Sequence, residues 1–212
     1  MSASFISANG PQFRELVQQA LSHARKIGAT DAAAEVSESQ GLSVNVRHGE
    51  VETVEQTHDR SLDVTVYVGQ RRGSASTSDF AEKAIADTVQ AAWHIASHTA
   101  EDPAAGLPDE ADLLLGDVPD MQLFHPWDID AKAAAQLARR AERAALQTDA
   151  NITNSDGASV STYIGHFVMG NTRGFLNGFP YSRHSLSVAP IAGRGDGMQR
   201  DDWYTSQRDP KR

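Results

Sequence analysis

The first hundred residues change from a helical hydrophobic pattern to a strand-like one and back again. Apolar residues at helical spacing predict a helix over about 10–27, and a second stripe follows Asp79 and Glu82, which resemble a capping box. Between the two helices, apolar and polar residues alternate as they do in half-buried strands. Turn-forming residues divide these strands at Gln40-Gly41, His48-Gly49, 58–60 and 69–73. The pattern predicts a helix, an antiparallel meander and a second helix.

The rest of the chain begins with an acidic stretch rich in Pro and Gly and then repeats the helix-to-strand order. Leu113 to Leu115 predict one short strand in that stretch, and an alanine-rich stripe predicts a third helix over about 130–147. Further strands are predicted at 159–169, 174–177, 181–192 and 198–204, with Gly193 to Gly197 as the last turn. We therefore expect an α+β protein. Its predicted parts are an N-terminal domain at 1–100, a connection at 101–128, and a helix plus mostly antiparallel β region of a second, incomplete domain at 129–212.

Composition and charge restrict the function classes. The 212 residues contain no cysteine, which excludes disulfides, thiol catalysis and Cys-ligated metals. The formal net charge is −9, so direct binding to nucleic acid is not expected. The first ten residues resemble no signal peptide, and no apolar run is long enough to span a membrane. We therefore expect a cytoplasmic protein that acts on neither nucleic acid nor membranes.

Three sequence features could carry chemistry, and each has a simpler explanation. His94 and His98 have the spacing of a zinc-protease helix, but Ile95 stands where that motif needs Glu. The glycines of 193–197 lie between strands, where they predict a hairpin turn rather than a phosphate-binding loop. His184 and Ser185 are neighbours in a predicted strand, so their side chains point to opposite faces. The residues therefore predict no catalytic group and no metal ligand, and they leave the substrate-binding residues unknown.

A set of short segments, spread in order over nearly all of residues 10–204, resembles the PmbA/TldE subunit of the TldD/TldE metallopeptidase family. The segment 182–187, Ser-Arg-His-Ser-Leu-Ser, points to the TldE/PmbA branch rather than the TldD branch. The other segments that carry the resemblance are Gly41 to Val44, Arg47 to Glu52, Val66-Tyr67, Arg72 to Asp79, Ala100 to Gly106, Leu123 to Pro126, Ile152 to Gly157 and Gly170 to Thr172.

The resemblance implies a part in a zinc-dependent peptidase complex that cleaves extended or unfolded peptides and removes leader peptides. In this family, TldD-type subunits hold zinc through an HExxxH motif, and TldE-type subunits lack it and act as partners. The 212 residues contain no such motif and correspond to the N-terminal portion of the family, so we expect a fragment or truncated product. We expect no cofactor in this chain, zinc in a TldD-type partner, a heterodimer, and no activity of the chain alone. Its strand edges would pair with the peptide.

Two alternatives remain open. The first is a protein-binding module of the kind called a modulator of DNA gyrase, with no part in proteolysis. The second, which the residues support least, is a self-sufficient hydrolase that uses Arg183, His184 and a serine.

Overall fold

A computed structural model describes residues 4–211, which form a seven-stranded antiparallel sheet with three α-helices. The elements are α1 Ser4–Lys26, β1 Asp31–Arg47, β2 Glu50–Val68, β3 Arg71–Thr77, α2 Glu82–His98, α3 Ala131–Leu146, β4 Ile152–Asn171, β5 Leu176–Ala192, β6 Gln199–Arg200 and β7 Trp203–Gln207. This confirms the predicted α+β class, in which a helix, an antiparallel meander and a second helix precede a second antiparallel region.

The strands follow the order β3-β2-β1-β4-β5-β6, and β7 also pairs with β5. The predicted turns at Gln40-Gly41 and 58–60 are wrong, because β1 and β2 pass through both sites without interruption. Gly41, for example, pairs with Thr57 on one side and Tyr163 on the other. Backbone hydrogen bonds to two neighbouring strands thus hold β1 extended where its own side chains favour a turn.

All three helices pack against one face of the sheet, which we call the helix face. Two hydrophobic clusters lie there. In the first, α1 and α2 cover the half of the sheet that carries Ala34, Val36 and Val64. In the second, α3 covers the half that carries Leu42, Val44 and Val160. Because side chains alternate along a strand, the intervening residues project from the opposite side, which we call the open face. The predicted division at residues 100 and 128 stays a prediction.

The predicted hairpin at His48-Gly49 is confirmed, and α3 fixes its tip. Both turn residues have positive φ, 50° at His48 and 76° at Gly49. The carboxylate of Glu142, whose side chain is buried, accepts hydrogen bonds from the backbone N–H groups of His48 and Gly49, each at 2.8 Å. Arg139 Nε donates to the carbonyl oxygen of Gly49 at 2.6 Å. Two side chains of one helix therefore bind a turn about 90 residues earlier in the chain.

Two local predictions before α3 are wrong. Helix α2 begins at Glu82 without a capping box, because its N-cap residue Ala81 has no side chain that could accept a hydrogen bond. Asp79 accepts instead from the N–H of Ala81, at 2.9 Å. Leu113 to Leu115 form no strand, and Leu115 is exposed. The backbone of this segment is bound by a side chain of β5, because Asn177 Nδ2 donates a hydrogen bond to the carbonyl oxygen of Leu114.

None of the helices within residues 4–211 combines the length and the apolarity that a membrane span requires.

Candidate functional site

The outer edge of β2 is a long, exposed stretch of sheet backbone. Strand β3 pairs with β2 only from Leu62 to Val68. Among residues 4–211, no strand pairs with the same edge along Glu50–Ser61, and Glu50 through Arg60 are all exposed. At about 3.4 Å per residue, this free edge is about 40 Å long. Alternate residues of such an edge direct their N–H and C=O groups away from the sheet, where another strand can pair with them.

A cavity of about 630 Å³ opens beside the middle of this edge, on the helix face. Its walls come from the centres of β1 and β2, at Gln40 to Leu42 and Gln56 to His58, and from Asp128 to Ala131 at the start of α3. The edge therefore borders space that could accept side chains of an added strand.

The open face consists mainly of small hydroxyl groups and aromatic rings. Serines of neighbouring strands meet in pairs, such as Ser159 with Ser187 and Ser185 with Ser206, and the two oxygen atoms of each pair are 2.9 Å apart. Beside them, Phe167 and Phe179 pack edge to face with centroids 4.7 Å apart. No helix of the described residues packs its apolar stripe on this side. The open face is thus a broad surface that no helix of the described residues covers.

Two titratable side chains of the open face, Tyr181 and Glu35, are partly buried, and burial raises the pKa of both. The ring of Tyr181 lies over Gly165, where a Cβ atom would come 2.7 Å from the ring. Burial, together with a hydrogen bond between the hydroxyls of Tyr181 and Tyr163, raises the pKa of Tyr181 to about 12. Burial also raises the pKa of Glu35, and the carboxylate of Asp63, directly across on β2, raises it further. The β1–β2 side of the open face is therefore acidic.

The structure confirms that His184 and Ser185 do not meet. The buried His184 ring is on the helix face, where Nε2 lies 2.8 Å from the carbonyl oxygen of His125 and Nδ1 lies 2.8 Å from the hydroxyl of Thr162. Nε2 therefore donates and Nδ1 accepts. Ser185 is on the open face against Ser206. Because both nitrogens of His184 have partners, this ring orders the packing and offers no base to a serine.

The other two sequence candidates are also structural. His94 and His98 are exposed on α2, and Nδ1 of His98 lies 2.8 Å from the carbonyl oxygen of His94. The glycines of 193–197 form the turn of the β5–β6 hairpin, as predicted. Within residues 4–211, no three His, Asp or Glu side chains are grouped closely enough to hold a metal ion. These residues therefore do not fit a resident zinc ion.

Sequence reasoning missed the free edge. It divided β2 into shorter strands at 58–60, so the unequal lengths of β2 and β3 were hidden. One sequence signal could have found it. Thr53, Val54 and Thr57 favour strands, yet apolar residues do not alternate regularly along 50–61, which is the pattern of an exposed strand.

Comparisons with known proteins identify the family. A family model described as PmbA/TldA metallopeptidase domain 1 matches residues 32–96, and one described as the central domain matches residues 124–212. Metalloprotease PmbA of Escherichia coli O157:H7 is 46% identical over 198 residues, which cover 92% of this chain. The chain belongs to the PmbA/TldD metallopeptidase family. The predicted resemblance to the N-terminal portion of PmbA/TldE chains is thereby confirmed.

The chain spans less than half the length of the PmbA relatives it matches. It covers 44% of the Escherichia coli protein and 46% of the Metalloprotease PmbA homolog of Haemophilus influenzae, to which it is 43% identical over 208 residues, or 98% of this chain.

Solved structures show the same fold. A candidate modulator of DNA gyrase from Bacteroides thetaiotaomicron matches 93% of this chain and 45% of its own, with a TM-score of 0.84 at 23% identity. TldE from Thermococcus kodakarensis matches 92% of this chain and 43% of its own, with a TM-score of 0.73 at 12% identity.

Proposed function

We propose that this chain is the substrate-holding, non-catalytic part of a TldE/PmbA-type subunit in a zinc-dependent peptidase complex. The free edge of β2 is the observation that carries the proposal. A strand that adds to a sheet edge is bound through its backbone, which makes recognition largely independent of sequence. This property suits a complex that processes extended or unfolded peptides, including leader peptides of modified precursors.

Catalysis would come from a partner. The Ser–His neighbours His184 and Ser185 lie on opposite faces of the sheet, and a TldD-type subunit with its HExxxH motif would supply zinc. A bound zinc ion activates water and polarises the scissile carbonyl group. The contribution of this chain would be to hold the peptide extended beside that centre, in a cytoplasmic heterodimer.

Reconstitution tests this division of roles. We expect the purified chain to hydrolyse no unfolded peptide by itself. A full-length form mixed with a TldD-type subunit should do so, and a zinc chelator should abolish the turnover. Hydrolysis by the chain alone, undiminished by chelator, would refute the proposal and revive the hydrolase alternative.

Peptide binding tests the edge directly. A fluorescent strand-forming peptide should bind the chain, whereas the same peptide N-methylated along both of its edges should not, because it lacks the backbone donors that pair with β2. Equal binding of the two peptides would show that the edge is not the site.

A second candidate is a protein-binding modulator without proteolytic function. It is favoured by two structural relatives, from Bacteroides thetaiotaomicron and Thermotoga maritima, that are described as candidate modulators of DNA gyrase. The chain would then change the supercoiling activity of purified gyrase without a TldD-type subunit. The −9 charge favours contact with protein rather than with DNA.

A further inference from the structure

The part of β2 that β3 leaves unpaired, Glu50–Ser61, is called the free half here, and its two faces differ in charge. On the open face, Glu55 pairs across from Ser43 and Asp59 from Ser39, so both carboxylates stand beside small neutral side chains of β1. Both are exposed, and neither forms an ion pair within residues 4–211. On the helix face, the same stretch of β2 carries His58 and Arg60. An added strand would therefore meet the two carboxylates Glu55 and Asp59 of β2 on the open face, whereas on the helix face β2 presents Arg60 and His58, which is paired with Glu38.

Other charges on the open face strengthen this asymmetry. Glu35 on β1 and Asp63 on β2, which pair with each other two residues beyond the end of the free half, add two more carboxylates. Arg208 lines a cavity with Glu35 and offsets its charge, whereas Arg183 on β5 lies three strands from β2, or about 14 Å at 4.8 Å per strand. That distance exceeds the Debye length of about 8 Å at physiological ionic strength, so Arg183 compensates little of the acidic charge.

We propose that the free edge of β2 selects extended peptides with two Lys or Arg residues, four positions apart, that face Glu55 and Asp59. The proposal rests on the proposed function, because it names the peptides that the same edge prefers. Residues four apart in a strand lie on the same face, about 13 Å from each other, which matches the spacing of the two carboxylates. Two opposite-charge pairs across neighbouring strands should strengthen binding about 2- to 30-fold.

Three labelled peptides test the preference by fluorescence anisotropy with the 212-residue chain. The first carries two lysines four positions apart, and the second carries glutamates at the same two positions. The third has the composition of the first, but its lysines are five positions apart and therefore on opposite faces. We expect the first to bind most tightly and the second most weakly. The difference should shrink between about 0.01 M and about 0.1 M salt, as the Debye length falls from about 30 to about 10 Å.

Variants of the chain assign the effect to the two carboxylates. The double variant Glu55→Gln/Asp59→Asn should bind all three peptides alike. The control Glu15→Gln/Asp117→Asn changes the net charge equally at exposed sites away from the edge and should keep the preference. Asp59→Lys should invert it in favour of the glutamate peptide, and this variant also serves if the neutral double variant self-associates.

The outcomes separate the two proposals. If the unmodified chain binds every peptide equally well, or if the control loses the preference, the charge selection is refuted while edge binding stands. A preference that persists in the double variant and is not inverted by Asp59→Lys also refutes it. If none of the peptides binds, both the charge selection and the peptide-holding function are refuted.

Discussion

Removal of the charge on Glu142 should loosen the β1–β2 hairpin, because that carboxylate accepts from two backbone N–H groups in a buried position. In Glu142→Gln, the amide keeps one accepting oxygen and turns an NH₂ group toward the other N–H. One buried donor is then unsatisfied, at about 1–3 kcal/mol, and the remaining bond loses its charge assistance. The uncharged amide also escapes the desolvation of a carboxylate, which offsets part of this loss. We expect a net destabilisation of about 1–3 kcal/mol.

Urea denaturation followed by circular dichroism measures this difference in the free energy of unfolding. At about 2–4 °C per kcal/mol for a chain of this size, the melting temperature should fall by about 2–12 °C. The amides of His48 and Gly49 should also exchange with solvent faster. Gln136→Ala, on the exposed side of the same helix, should stay within about 0.5 kcal/mol of the unmodified chain. If Glu142→Gln matches this control in stability and in exchange, the carboxylate does not hold the turn.

Two further predictions concern the turn itself and the dependence of stability on pH. Gly49→Val should destabilise the chain by about 1–2 kcal/mol, because residue 49 has φ 76°, whereas Gly116→Ala should be tolerated in a thermal melt. A melting temperature of Gly49→Val equal to that of Gly116→Ala would contradict the turn assignment. Burial, and after it the charge of Arg14, lowers the pKa of His166, so the unfolded chain binds a proton that the folded chain resists. The free energy of unfolding should therefore fall as the pH drops below about 6.5. In urea titrations at several pH values, His166→Gln should show a smaller fall than the unmodified chain. An equal fall in both would contradict the role of His166.

The amino-acid sequence predicts the elements whose signals are local. The apolar stripe of α3 and the His48-Gly49 turn depend on residues close together in the chain, and both are found where they are expected. Gly41 is different, because its neighbours Thr57 and Tyr163 belong to other strands and keep it extended. Long-range pairing of this kind overrides local turn preference, which is why the predicted meander had shorter strands than the real one.

The candidate site was less predictable than the fold, for a related reason. A free edge is defined by the strand that does not pair with it, and the unequal lengths of β2 and β3 are a property of the whole sheet. By contrast, the opposed directions of His184 and Ser185 follow from the period of two in any strand, and the prediction that they do not meet is confirmed. The hydrogen bonds of Glu142 left no sequence signal, because a lone Glu in an alanine-rich helix usually faces solvent.

The pairing of β1 with β4 has a consequence for synthesis on the ribosome. Val46 pairs with Ala158 and Ala33 with Asn171, so the partners in β4 emerge roughly 110 to 140 residues after those in β1. At roughly 5–20 residues per second, translation leaves the second edge of β1 without its partner for about 6–28 s. During that interval the nascent β1–β2 hairpin carries Val36, Val44 and Leu62 without the second half of their sheet. A chaperone that binds extended apolar segments would have its main opportunity there.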